Sequence, residues 1–376
     1  MTEDRAPVTT EGAIGAGARD EDDMPRVVLT RERMIIFAVF VVSAVAFLYF
    51  VLPKLAGLHK TWNRLQDGEP GWLIAAAGFE VFSYASYMWL FRTVFVRGKS
   101  RIGWKESYEI TMAGVAATRL FAAAGAGGVA LTAWAVRKSG MSRRMTGVRM
   151  IAFMSMLYSV YVLAIVVCGI LLRTGVLHGE HPFGFTIVPV LIGMGLLMGF
   201  VAVAFVPRDV EERLMKGSEG EGRKSKWMAR LAAAPALISA GAKTTFDLVH
   251  DREPGVLGAV GWWLFDIMVL WACFHAFGSP PPFGVVVMCY FVGTLANTLP
   301  LPGGIGGVDG GMIGAFVVFG VDSGLAIVAV LAYRAFSFWL PTIPGIIAYL
   351  QLRRTVARWS GTIPNEATPR TETVNV

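Results

Sequence analysis

The chain has 376 residues, of which 55% are hydrophobic and only 16% charged, with a mean hydropathy of +0.56. Soluble domains carry about 25% charged residues; here apolar stretches of near bilayer-spanning length alternate with short basic connectors, which excludes a soluble globular protein. The formal net charge of +7 comes with no basic stripe interleaved with aromatics, so it points to loops that set membrane orientation and not to nucleic acid.

Taken in chain order, residues 1–33 are polar and rich in glycine and acidic residues, a composition that predicts a disordered cytoplasmic tail. Residues 34–52 form the first apolar run, too long and too late for a signal peptide, and are expected to stay as an uncleaved span. Further apolar segments occupy 71–91, 107–135, 148–172, 184–206, 255–277, 283–299, 303–320 and 323–351. The connectors at 92–105 and 136–149 are both strongly basic, with Arg92, Arg97, Lys99, Arg101 and Lys105 in the first and Arg137, Lys138, Arg143, Arg144 and Arg149 in the second. Both belong on the cytoplasmic side, so 107–135 must enter and return on that side. Its centre, Phe121 to Val129, is small and glycine-rich, as a hairpin tip requires. The connector 278–282 is uncharged while Arg353, Arg354 and Arg358 follow the last span, so 283–320 must enter and return from the outside. It breaks at Leu299-Pro-Leu-Pro-Gly-Gly-Ile-Gly-Gly307, which cannot continue a helix.

The expected fold is therefore an all-α polytopic membrane protein with about six full transmembrane helices and two re-entrant helical hairpins. The transmembrane domain covers 34–354, with a cytoplasmic loop at 207–254 and a disordered cytoplasmic tail at 355–376. An offset of 179 residues aligns Leu120, Gly125, Gly127, Gly128 and Val129 with Leu299, Gly304, Gly306, Gly307 and Val308. An offset of 186 aligns Phe79-Glu80-Val81 with Phe265-Asp266-Ile267. The halves, about 34–172 and 184–351, read as an inverted repeat, which places a binding site at the repeat interface.

Ionisable residues within the apolar segments face a bundle interior and need partners. Glu109, His275 and Asp322 lie near segment ends and read as interfacial. Arg119 and Arg334 are suited to a phosphate, which a guanidinium grips bidentately while staying charged, or to a structural ion pair. Asp309 follows the glycines where a half-helix starts, so it either caps that helix or meets a cationic headgroup or proton. Glu80 and Asp266 are coupling candidates. Gly125, Gly127, Gly128, Gly303, Gly304, Gly306 and Gly307 read as cavity-lining backbone or as close helix packing. Cys168, Cys273 and Cys289 lack metal-ligand spacing and read as small buried hydrophobes, and His178 and His181 as solvated loop residues. No metal, cofactor or catalytic motif is expected.

The motif Pro302-Gly-Gly-Ile-Gly-Gly-Val-Asp309, followed by Phe319-Gly-Val321, Tyr333-Arg334 and Phe338-Trp339-Leu340-Pro341, resembles the lysylphosphatidylglycerol synthase transmembrane (flippase-like) family. Arg119 with Gly125-Ala-Gly-Gly128 resembles the other motif of that family more loosely. Two positions depart from the pattern: Asp309 replaces the usual glutamate, and Gly127-Gly128 stands where Gly-Glu is usual. The resemblance implies a bacterial inner-membrane protein related to the domain that moves an aminoacylated phospholipid between leaflets. No aminoacyl-transferase domain follows the last span, so a stand-alone lipid translocase is expected and not a synthase. The resemblance leaves the substrate open among an anionic or aminoacylated phospholipid and a polyprenyl or hopanoid lipid. The rival readings are a membrane-embedded lipid-modifying transferase and a non-transporting partner of a lipid-synthesis enzyme; a homo-oligomer is a further expected assembly.

Overall fold

In lipid, a segment without polar faces satisfies its backbone only as helix, and helix is what this chain forms. The computed structural model describes residues 68–96, 100–120, 126–204, 223–298 and 306–361. Its helices are α1 (Pro70–Phe95), α2 (Trp104–Leu120), α3 (Ala126–Lys138), α4 (Arg143–Arg173), α5 (Phe183–Ala204) and α6 (Arg223–His250), then α7 (Leu257–Phe277), α8 (Phe283–Thr294), α9 (Gly307–Val318), α10 (Ser323–Arg334) and α11 (Leu340–Trp359). There is no strand among the described residues. Among the described residues, five helical stretches are long and apolar enough to cross a membrane: Pro70–Phe95, Arg143–Arg173, Phe183–Val203, Pro254–Phe277 and Ser323–Trp359. The expected first span at 34–52, the tail at 1–33, the hairpin tips at 121–125 and 299–305, connector residues 207–222 and the tail from 362 lie outside the described residues.

Helices α1 and α7 pack antiparallel along their whole length. The Glu69 N–H donates to the Ala276 carbonyl at one end, the Ser83 hydroxyl donates to the Trp262 carbonyl in the middle, and Gly255 abuts Thr93 at the other end. Gly258 permits the approach, since a Cβ there would lie 2.9 Å from the Leu90 nitrogen. Helix α2 runs antiparallel to α11 in the same way, from Glu109 beside Thr355 to Arg119 beside Phe338.

The pairs α2/α3 and α8/α9 are short, at 17, 13, 12 and 12 residues. At a rise of ~1.5 Å per residue, none reaches the ~30 Å of a hydrocarbon core. Each pair doubles back on itself, and glycine lets the two arms close. A Cβ on Gly128 would lie 2.5 Å from the Gly114 carbonyl oxygen, and one on Gly293 would lie 2.8 Å from the Met312 backbone. The repeat offset of 179 carries Gly114 onto Gly293, so the two crossings correspond. The first pair opens where α1 finishes, where Arg92 Nη1 donates to the Ser107 hydroxyl and Arg149 Nη1 to the Phe95 carbonyl, each at 2.9 Å. The second opens where α7 finishes, with the Phe283 ring against Trp271 and Leu325 beside Gly278. The two pairs therefore open at opposite ends of the bundle.

Charge also separates those ends. Arg101, Arg137, Lys138, Arg143, Arg144, Arg353, Arg354 and Arg358 flank the end where α1 finishes, whereas connectors 174–182, 278–282 and 319–322 contain no lysine or arginine. Two hydrophobic cores stack between the ends. One surrounds α2/α3 with Leu90, Phe95, Ile110, Phe153 and Leu352; the other surrounds α8/α9 with Leu172, Phe274, Tyr290, Phe291 and Phe316. Along α1, Ala76 belongs to the second core and Leu90 to the first, and buried Glu80 and Ser83 lie between.

Two expected boundaries change. The connector 207–254 contains α6, which packs on α4 through Gly241 against Ile151 and a hydrogen bond from the Thr245 hydroxyl. Its Ala236, Ala242, Thr245 and Leu248 recur at helical spacing and are buried, a signal interrupted by the lysines and hydroxyls around it. Helix α11 runs to Trp359, past the expected tail start at 355, because Thr355 and Val356 pack inward.

Candidate functional site

The inner ends of α2 and α9 meet the middles of the long helices in one buried charged layer. Asp309 stands in the first turn of α9, and its Oδ2 accepts the Gly306 N–H at 2.8 Å. Gly306 has φ +83°, a left-handed backbone that favours glycine. The other oxygen, Oδ1, lies 2.7 Å from Arg334 Nε at the end of α10. The contact is an ion pair. The side chains are 14% and 2% exposed for Arg334 and Asp309, so the pair is largely desolvated. Asp309 thus both caps its helix and neutralises Arg334.

Arg119, at the end of α2, reaches the last span. After α10 the chain makes a π-helical turn, Ala335–Trp339, before Pro341. Proline has no N–H, so the Ser337 carbonyl loses the donor it would meet four residues on in an α-helix. Arg119 Nη2 donates to that carbonyl and to the Tyr84 hydroxyl, and Nη1 donates to the Phe338 carbonyl at 2.8 Å. The Phe338 ring lies between the two guanidiniums, 5.5 Å from that of Arg119 and 5.0 Å from that of Arg334. Arg119 therefore replaces backbone donors at a helix break.

Glu80 on α1 and Asp266 on α7 lie within reach of each other where the two helices cross. They are 2% and 9% exposed. Their sequence neighbours Phe79 and Phe265 stack with ring centroids 6.3 Å apart. Residues matched by the repeat offset of 186 thus meet each other, as they must on a two-fold axis relating two antiparallel helices. Asp266 Oδ2 accepts hydrogen bonds from the Tyr290 hydroxyl and, at 2.9 Å, from the Tyr333 hydroxyl. Glu80 Oε2 has no hydrogen-bond partner.

The structure brings Glu80, Arg119, Asp266, Asp309 and Arg334 together. Gly306 and Gly307 form the start of α9 beside them, while Gly127 and Gly128 sit in the first turn of α3, where Gly128 serves close packing against α2. Gly125, Gly303 and Gly304 lie outside the described residues. Glu109, expected at the interface, is buried and accepts a hydrogen bond from Thr355 at 2.7 Å. Asp322 caps α10, accepting the Leu325 N–H at 2.9 Å, and His275 packs between Trp72 and Trp271. Tyr84 and Tyr290 escaped the sequence reading, and Tyr333 entered it only within the family motif, with no role assigned. Tyr84 falls four residues after Glu80 on the same helix face, and Tyr333 precedes Arg334; no local signal marks Tyr290.

Fold and charged layer together define a multi-pass, all-α membrane protein whose ionisable residues converge at the centre of the helix bundle. The chain belongs to the family described as Lysylphosphatidylglycerol synthase TM region, which matches residues 35–345. It is also similar to UPF0104 membrane proteins of Methanothermobacter thermautotrophicus, with one stretch 36% identical over 104 residues and another 40% identical over 86. The first covers 27% of this chain and 30% of the relative, the second 23% and 26%. UPF0104 membrane protein MJ1595 of Methanocaldococcus jannaschii is 32% identical over 100 residues, covering 26% of this chain and 30% of the relative. The chain thus spans under a third of the length of these relatives.

Proposed function

We propose that this protein is a lipid translocase that moves a phospholipid or lipid-linked headgroup between the leaflets of a bacterial inner membrane. On this reading α2/α3 and α8/α9 are re-entrant hairpins dipping from opposite faces, the basic end and both termini are cytoplasmic, and the protein acts as a transporter without catalysis. One observation carries it: the inner ends of α2 and α9, from helix pairs that open at opposite ends, bring Arg119 and Asp309 into a buried layer with Arg334, Glu80 and Asp266 between two hydrophobic cores. Charged groups are costly at that depth unless partnered. Paired as they are here, they form a polar step at which a headgroup exchanges places with the protein's own ligands while acyl chains stay in lipid.

Arg334 is the residue this mechanism depends on most, because its partner is a carboxylate that an incoming phosphate replaces in kind. Reconstituted with trace fluorescent phosphatidylglycerol or phosphatidylethanolamine, the wild type is expected to equilibrate label between leaflets. The double variant Arg334→Gln/Asp309→Asn keeps the cap and strands no buried charge, yet is expected to slow that movement at least tenfold. Unchanged movement in the double variant would refute the assignment. In cells, a membrane-impermeant amine label should show one lipid class retained in the inner leaflet when the protein is absent.

A further inference from the structure

Resting on the translocase reading, we propose that Glu80 and Asp266 form a proton-binding pair on the axis between the two halves, and that lipid movement is driven by proton transfer through it. The other charged groups of the layer are committed. Arg334 is paired with Asp309, and Arg119 is spent on the Ser337 and Phe338 carbonyls and on Tyr84. Three carboxyls against two guanidiniums leave one negative charge in excess when all are ionised. Two carboxylates facing each other away from water repel, and one shared proton removes both the repulsion and the excess charge.

The surroundings divide the roles within the pair. Asp266 accepts from the Tyr290 and Tyr333 hydroxyls, whereas Glu80 Oε2 has no donor directed at it. The ionisable groups facing the pair are Tyr84 on α1, Cys273 on α7, Arg119 on α2, Tyr290 on α8, and Tyr333 and Arg334 on α10. Among these, carboxyl exchange is the simplest proton carrier: the two arginines stay charged, and the phenols and thiol hold their protons at neutral pH in water. The axis position also matters. A group on the symmetry axis is equidistant from both faces, so one proton taken from one face is released to the other when the halves exchange access.

Two measurements on the full chain test the pairing and the coupling separately. Infrared difference spectra of the purified protein across a pH titration should show the carbonyl stretch of a protonated carboxylic acid, lost in Glu80→Gln and reduced or shifted in Asp266→Asn. In vesicles of phosphatidylglycerol and phosphatidylethanolamine at zero membrane potential, a two-unit pH difference should bias labelled lipid toward one leaflet. The limit for one proton per lipid is about tenfold per unit. Glu80→Gln should remove the bias from the final leaflet distribution, whether that distribution is reached faster or slower than in the wild type. Equilibration by the wild type with no bias overturns the coupling and leaves the translocase standing. No equilibration by the wild type, with the infrared band present, instead overturns the translocase while retaining the proton pair. A spectrum without a protonated carboxyl that Glu80→Gln removes overturns the pair itself.

Discussion

Pro341 withholds the N–H that the Ser337 carbonyl would accept in a regular helix, and Arg119, on a different helix pair, supplies the replacement. Arg119 is thereby a clamp on the helix break. Lysine has a compact ammonium without the planar fork, so Arg119→Lys should lose part of this set of hydrogen bonds. The expected cost is about 1–3 kcal/mol for the Ser337 carbonyl left without its donor, read as a lower melting midpoint in detergent. An unchanged midpoint would show that the fork is dispensable. Arg334→Ala strands Asp309 as an unpaired buried charge and should cost ~3–5 kcal/mol. The double neutral variant Arg334→Gln/Asp309→Asn should recover much of that loss, as a double-mutant cycle in thermal denaturation would measure.

At the scale of the element, the short helix pairs depend on glycine at their crossings. A methyl on Gly128 would press on the Gly114 carbonyl and the Thr118 hydroxyl, and one on Gly293 would press on the Met312 backbone. Backbone yields poorly, so Gly128→Ala and Gly293→Ala should each destabilise by about 1–3 kcal/mol through overpacking. Gly310 in α9 is the internal control, because nothing lies within 4 Å of the position its Cβ would take. Gly310→Ala should leave stability unchanged or raise it by roughly 0.5–1 kcal/mol. Melting curves in which all three variants behave alike would show that helix crossing is not what glycine provides here. The crossing at Gly258 between α1 and α7 follows the same physics over a longer contact.

For the whole molecule, α1 pairs antiparallel with α7 and the two helix pairs open at opposite ends, so the described parts of the two halves run in opposite senses. The concentration of arginine and lysine at one end gives that inversion a direction. Ser360 at the basic end and Ser279 at the opposite end are both exposed. In a background whose native cysteines are replaced, Ser279→Cys should react with an impermeant maleimide in intact cells. Ser360→Cys should react only after permeabilisation. The reverse pattern would invert the topology while keeping the fold, and labelling of both sites in intact cells would refute the span count.

Span length, connector charge and helix-breaking composition are local properties that add up along the chain, which is why the spans, the basic end and the short helix pairs were legible in the sequence. The repeat was legible for the same reason, since Phe79-Glu80 and Phe265-Asp266 carry it as plain text. Partnership is not local. That Asp309 serves Arg334, that Arg119 answers the orphaned carbonyl before Pro341, and that Tyr290 and Tyr333 converge on Asp266 depend on helices far apart in sequence packing at one height. The α6 helix was missed because its buried stripe gains meaning only against α4. Sequence alone singled out Glu80, Arg119, Asp266, Asp309 and Arg334 as groups needing partners, and missed buried Glu109, because a charge within an apolar segment is costly in lipid while one near a segment end is not. Tertiary structure decided which of them neutralise one another, because in a low-dielectric interior that choice rests on a few ångströms of geometry.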